Sequence, residues 1–196
     1  MKNIRRPTYS FLILVIGLIL INTVLSWLSV QFSRLICPGL PAGVSMLFFA
    51  AAFMLVFTLW FGMYGALSAY VGSFIGTGLL SGMSITTSLY FALATFLQVV
   101  IPLIAFRIFD VRVGMESGRD LFHLVLWGVV LGNVIGAAWG SVALAIAGNN
   151  WSNIMPVFGT WLIGNIIVTI IICPLVLGHL TPRVEKSKVF VKNYWF

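Results

Sequence analysis

Two stretches of this chain, residues 35–106 and 121–181, carry no charged side chain, and the second holds only two histidines, His123 and His179. A water-facing surface needs charge: about a quarter of the residues in an ordinary soluble domain are Asp, Glu, Lys or Arg. Here the figure is 8%, against 61% hydrophobic residues and a mean hydropathy of +1.11. The solvent that suits such a chain is a lipid bilayer.

A bilayer core is about 30 Å thick and takes roughly 20 apolar residues per crossing helix, which leaves room for about six helices here. Breakers and polar segments place them at residues 10–30, 43–60, 63–80, 85–106, 121–147 and 157–180, with a polar loop at 107–120 and a basic tail at 181–196. Pro38 and Pro41 precede the second span, and Phe61-Gly62 makes a very tight turn into the third. The apolar runs are continuous, whereas barrel strands alternate every second residue. The run at 11–30 is too long for a signal-peptide core, and no small-x-small cleavage site follows it, so it reads as a retained first helix. The expected fold is all-α: a polytopic integral membrane protein, one domain built as a six-helix bundle.

Charge sets the expected orientation. With the N-terminus inside, the cytoplasmic pieces hold Lys2, Arg5, Arg6, Arg107, Arg112, Arg119, Arg183, Lys186, Lys188 and Lys192, while the outer pieces hold only Arg34. Basic residues favour the cytoplasmic side, and an odd number of spans would split these clusters. Both termini are therefore expected in the cytoplasm of a cell (inner) membrane. The net charge of +7 sits at the ends of apolar spans, as topogenic charge does, so lipid is the expected partner and nucleic acid is not. Cys37 in the first connection and Cys173 deep in the last span should lie on opposite sides of the midplane, so no disulfide is expected.

Glycines mark helix faces. Gly128, Gly132, Gly136 and Gly140 recur every fourth residue on span five, and Gly65, Ala69, Gly72 and Gly76 form a similar stripe on span three. Positions four apart lie near one helix face, where a missing side chain lets a second backbone approach. The stripes serve either internal packing or docking of another membrane subunit.

No Asp, Glu, Lys or Arg falls at mid-membrane, which argues against a proton pump, a voltage sensor or a charged-ring channel. The polar groups that remain are neutral: Tyr70, Gln98, Asn133, Trp161 and Asn165. A side-chain amide has four hydrogen-bonding sites and does not face lipid cheaply. One reading makes the amides interhelical glue and Trp139, Trp151 and Trp161 an interfacial belt. The sharper reading is an outward pocket between spans three, five and six, with Trp139, Trp161 and Tyr70 as walls and Asn133 and Asn165 orienting a ligand. The amide-rich segment at 148–153 reads as an ordinary polar turn or, on the sharper reading, as a lid over that pocket. No catalytic constellation, metal cluster or phosphate-binding loop is visible, so no enzyme activity and no cofactor are expected. Asp110, Glu116 and Asp120, interleaved with Arg107, Arg112 and Arg119, read as a solvated, self-neutralising loop.

Two family resemblances follow from these residues. The segments Leu40-Pro41-Ala42-Gly43, Trp60-Phe61-Gly62, Gly72-Ser73-Phe74-Ile75-Gly76, Trp161-Leu162-Ile163-Gly164-Asn165 and Cys173-Pro174-Leu175 resemble, in their order, the multi-spanning membrane-associated sensor domain of bacterial histidine kinases and diguanylate cyclases. Asn165 stands where that family often carries an acidic residue. Length, six-helix topology and the basic cytoplasmic side resemble the S components of energy-coupling-factor vitamin transporters. That resemblance implies an outward pocket for a small solute and, as partner, a transmembrane scaffold with ATPases. The small-xxx-small docking signature expected on the first span is not carried by Ile16-Gly17-Leu18-Ile19-Leu20-Ile21. The expected function is membrane-embedded recognition of a small neutral or amphipathic solute in an uptake system. The alternatives are a stand-alone sensor domain and a structural subunit of a larger membrane complex.

Overall fold

The computed structural model describes residues 9–40, 44–148 and 150–191. Lys2, Arg5, Arg6, Pro41, Gly43, Asn149 and Lys192 lie outside them. The described residues form helices and no strands. We number six helices: α1 (Tyr9–Ile36), α2 (Ala50–Phe61), α3 (Met63–Ser81), α4 (Ile85–Ile108), α5 (Gly118–Gly148) and α6 (Trp151–Val184). All but α2 are long and apolar enough to cross a membrane.

Contacts at the two ends show that successive helices alternate in direction. Trp60 in the last turn of α2 donates Nε1–H to Thr181 Oγ1 of α6 at 2.9 Å. Beyond α6 the chain folds back: the Val191 N–H donates to Trp60 O at 2.9 Å, and Arg107 of α4 donates to Val191 O at 2.8 Å. At the opposite end Arg34 of α1 donates to Ser81 O of α3 at 3.0 Å. One end thus gathers Arg107, Arg112, Arg119, Arg183, Lys186 and Lys188, and we call it the basic end. The sequence from 181 onward is not simply a solvated tail, because Phe190 and Val191 are buried against the bundle.

Helix α2 corrects the expected span at 43–60. It starts only at Ala50 and is 12 residues long, about 18 Å at 1.5 Å per residue, well short of a bilayer core. Residues 44–49 enter the bundle without forming that helix because side chains offer their backbone other partners. Ser33 Oγ accepts from the Met46 N–H at 3.0 Å, Ser29 Oγ accepts from the Ala50 N–H at 3.3 Å, and Ser45 Oγ donates to Ser29 O at 2.8 Å. Such local alternatives compete with the helical ladder. Gly164 of α6 lies flush against the Met46 carbonyl, where any side chain would collide. Every residue of α2 except Phe53 and Phe57 is buried, so this short helix is the core around which the others stand.

The tight turn falls at Gly62, whose φ of 60° and ψ of −137° suit glycine alone. Ser84 caps α4 by accepting from the Thr87 N–H at 3.1 Å. Ser117 and Asp120 form a capping box at the start of α5. Asp120 is buried there, accepting from the Arg112 and Ser117 N–H groups at 3.2 and 3.0 Å, so the loop before α5 is more than a solvated charge mixture. Within α5, residues Leu124–Leu131 take the wider π-helical turn, and the Gly132 N–H bonds back to Trp127 O.

Candidate functional site

The buried amides Gln98, Asn133 and Asn165 collect where α4, α5 and α6 meet, and the surroundings form three layers.

The middle layer is a continuous chain of side-chain hydrogen bonds. Gln98 of α4 donates Nε2–H to Asn133 Oδ1 of α5 at 2.6 Å. Asn133 Nδ2 donates to Val129 O at 2.7 Å and to Thr169 Oγ1 of α6 at 3.0 Å. Thr169 in turn donates to Asn165 O at 2.6 Å. The glycines make this approach possible: a Cβ on Gly132 would stand 2.7 Å from Gln98 O, and one on Gly136 the same distance from Gln98 Oε1.

The stripe does not face a single partner, however. Gly128 abuts Leu55 of α2, Gly132 and Gly136 abut α4, and Gly140 abuts the Trp161 ring of α6. At 100° per residue, each four-residue step drifts by about 40°, so the stripe winds across three neighbours. On α3, Gly65 packs on Phe57 and Thr58 of α2, while Gly72 and Gly76 pack on Asn22, Thr23 and Ser26 of α1.

The second layer lies one turn along α6. Trp161 is buried, its ring 5.0 Å from that of Phe91 of α4. It helps wall an enclosed cavity of about 10 Å³ with Ser45, Phe48, Phe91 and Thr95. Both hydroxyls here are engaged: Ser45 with Ser29 O and Ser33 Oγ, and Thr95 as donor to Ser73 Oγ at 3.0 Å. Asn165, four residues beyond Trp161 and so on the same helix face, is fully buried. Neither its Nδ2 nor its Oδ1 has a hydrogen-bond partner among the described residues.

The third layer is open. At the end opposite the basic one, the start of α4 and the facing ends of α5 and α6 border a cavity of about 360 Å³. Met83, Leu144, Ile154 and Val157 give it apolar walls, and Thr87, Ser141, Asn150 and Asn153 give it polar edges. Among the described residues no ionisable side chain lines it.

The structure therefore brings Trp161 and Asn165 together, and separately brings Asn133 to Gln98. It does not bring Trp139 or Tyr70 to either group. Trp139 lies on the outer flank, donating Nε1–H to Tyr90 O at 2.8 Å beside a shallow apolar groove of about 460 Å³ between α4 and α5. Tyr70 sits between α3 and α4, its hydroxyl 3.3 Å from Leu89 O and its ring edge-on to Phe96. The open cavity lies between α4, α5 and α6, whereas the sequence pointed to α3, α5 and α6. Its lining residues Thr87, Ser141 and Leu144 carry no signal beyond ordinary helix composition. The buried row Asn22, Ser26, Ser29 and Ser33 on α1 was also passed over, although its spacing of four, three and four marks one helix face.

Elsewhere, His123 stacks on Phe109 with ring centroids 5.0 Å apart, and His179 Nδ1 lies 2.8 Å from Leu175 O. Among the described residues no three His, Cys, Asp or Glu side chains are grouped to hold a metal. Cys37 and Cys173 are both free. Comparison of the chain with protein-family models, with curated proteins and with solved structures finds no match.

Proposed function

We propose that this chain is a non-enzymatic cell-membrane protein with its basic end in the cytoplasm, and that it recognises a small neutral or amphipathic solute from the outside. The observation that carries the reading is the cavity between α4, α5 and α6. Its volume of about 360 Å³ falls in the range of small-molecule sites, and it combines apolar walls with a few hydroxyls and amides. A lining without ionisable groups favours an uncharged or zwitterionic solute. The uptake role, in partnership with a scaffold and ATPases as in S components, follows from the resemblance in length and topology. The groove beside Trp139 favours a second reading, a structural subunit whose flank meets another membrane helix.

Native mass spectrometry of the gently solubilised protein separates the readings. Solute recognition predicts a non-lipid adduct that disappears when Ser141→Leu and Thr87→Leu fill the cavity. The structural reading predicts a partner subunit and no such adduct. Orientation is tested by cysteine labelling of intact cells after Cys37→Ser. Both Ser152 and Ser187 are exposed. Ser152→Cys should label from outside and Ser187→Cys should not; the opposite pattern inverts the topology.

A further inference from the structure

The cavity between α4, α5 and α6 does not stand alone. Thr87 of α4 and Ala147 of α5 line it, and the same two residues line the groove of about 460 Å³ on the outer flank of these helices. The two spaces therefore adjoin, with Thr87 and Ala147 between them. Their linings differ in chemistry. Ser141, Asn150 and Asn153 belong to the cavity alone, whereas the groove runs over Val142, Ala143 and Ile146 towards Tyr90 and Trp139.

The groove has a direction and an end. From Ala147 back to Trp139 it follows α5 for about 12 Å at 1.5 Å per residue. At its far end the Trp139 indole reaches from α5 to α4 and donates Nε1–H to Tyr90 O at 2.8 Å, which closes the gap between the helices. Val142 and Ile146 are exposed, so the groove is open sideways. In the cavity, the polar groups keep part of their capacity. Ser141 Oγ donates to Ala137 O at 2.6 Å, and Thr87 Oγ1 lies 2.8 Å from Ser84 Oγ, so both oxygens can still accept. Asn150 Oδ1 accepts from the Ser152 hydroxyl at 2.8 Å, so what Asn150 has left to offer is its Nδ2–H donors. A hydroxyl group suits both kinds of partner, since it donates and accepts.

We propose that the two spaces form one site for a single-chain amphiphile, with an uncharged, hydroxylated head in the cavity and an alkyl chain in the groove. Continuity through Thr87 and Ala147 commits the groove to the chain of the molecule whose head the cavity holds. A groove about 12 Å long takes about ten carbons, because C–C bonds of about 1.5 Å advance roughly 1.3 Å per carbon in a zigzag. The Trp139 end sets that length. One groove takes one chain, so the occupant is not a two-chain lipid of the bilayer. A charged head is disfavoured, because none of the described residues lining the cavity could pair with it. With the basic end in the cytoplasm, the solute reaches the site sideways from the outer leaflet. This inference rests on the solute-recognition reading above and names the chemistry that reading leaves open; the groove is then a tail channel rather than a seat for another helix.

The test uses the full chain held in an amphipathic polymer, because detergents are themselves single chains with polar heads. The probes are 1-O-decylglycerol, 1-O-butylglycerol and decyltrimethylammonium, titrated calorimetrically below their micelle-forming concentrations. The wild type should bind decylglycerol at least about tenfold more tightly than butylglycerol, because the longer chain fills the groove. It should also bind decylglycerol at least about tenfold more tightly than the charged probe. Val142→Phe and Ile146→Phe place a ring in the groove from exposed positions. Each should cut the decyl-to-butyl ratio to about threefold or less and leave butylglycerol affinity within about twofold. Equal affinities for the decyl and butyl probes, a ratio that survives both substitutions, or equal binding of the charged probe would overturn the assignment and leave the cavity to a compact solute. No saturable binding of any probe would overturn it as well. Solute recognition itself is judged apart from this, by the native mass spectrum with Ser141→Leu and Thr87→Leu.

Discussion

The same three helices, α4, α5 and α6, build two regions of opposite character within a few turns of each other. Around Gln98, Asn133 and Thr169 the backbones approach over Gly132 and Gly136, and the chain of side-chain hydrogen bonds runs unbroken from α4 to α6. Around Trp161 and Asn165, α4, α6 and the segment 44–49 border a small void, Asn165 meets no partner among the described residues, and the ends of α4, α5 and α6 open into a cavity nearby. The difference teaches that identical residue types at similar depth take different roles according to what stands opposite. Asn133, facing glutamine and threonine, holds helices together; Asn165 has no such partner among the described residues.

The contrast predicts its largest effect at Gly136. Leucine there must displace the Gln98 side chain and the α4 backbone near Ala94, and overpacking of this kind costs about 1–3 kcal/mol or more. Ala147→Leu, three turns further along α5 at the exposed edge of the open cavity, should change thermal stability by no more than about 0.5 kcal/mol. Equal melting temperatures for the two variants in detergent would erase the distinction between a close-packed and an open region.

The amides give the next largest effect. Asn133→Leu strands Gln98 Nε2 in the core and should cost about 1–3 kcal/mol. Asn165→Ala removes no hydrogen bond among the described residues and should cost less than Asn133→Ala. A double substitution, Gln98→Leu with Asn133→Leu, should recover part of the loss because both partners are removed together. If Asn165→Ala proves as damaging as Asn133→Ala, the second region is bonded after all.

At the basic end, Trp60→Phe removes the indole donor to Thr181 while keeping most of the ring, and about 1 kcal/mol should be lost. Denaturant titration should detect this shift.

The smallest effect concerns Asp120, in the polar segment before the apolar part of α5. Burial alone would raise its pKa, but hydrogen bonds from Ser117 and Arg112 and the Arg112 charge outweigh burial and hold it below the usual carboxylate value. Its contribution is therefore present above the unfolded-state pKa and is lost as pH falls through the lower folded one. Asp120→Asn should cost about 0.5–1 kcal/mol at neutral pH and should flatten the acid side of the stability profile. An acid limb unchanged in the variant would show that another carboxylate governs it.

Much of the fold was legible in the chain. The long uncharged stretches fix apolar helices because backbone polar groups in lipid have to be satisfied within the helix itself. The turn at Gly62, the start of α4 at Ile85 and the close packing at Gly132 and Gly136 are local matters of backbone shape and hydrogen bonding. The length of α2 was not legible. Lipid and protein interior accept the same side chains, so hydropathy reports that residues 44–61 avoid water and not which apolar phase surrounds them. Only the hydroxyls of Ser29 and Ser33, brought in from α1, decide that residues 44–49 stay non-helical.

What the sequence by itself determined was which residues avoid water, where the charges gather and which helix faces are small enough to touch. What the tertiary structure alone decided was which amide finds a partner. Asn133 and Asn165 are indistinguishable as letters in an apolar run. Hydrogen bonds between helices depend on the rotation and depth of several helices at once, a property no single segment encodes. The packing of α4, α5 and α6 sets Asn133 opposite Gln98 and Thr169, leaves Asn165 unmatched among the described residues, and puts Ser141 and Trp139 on two different cavities.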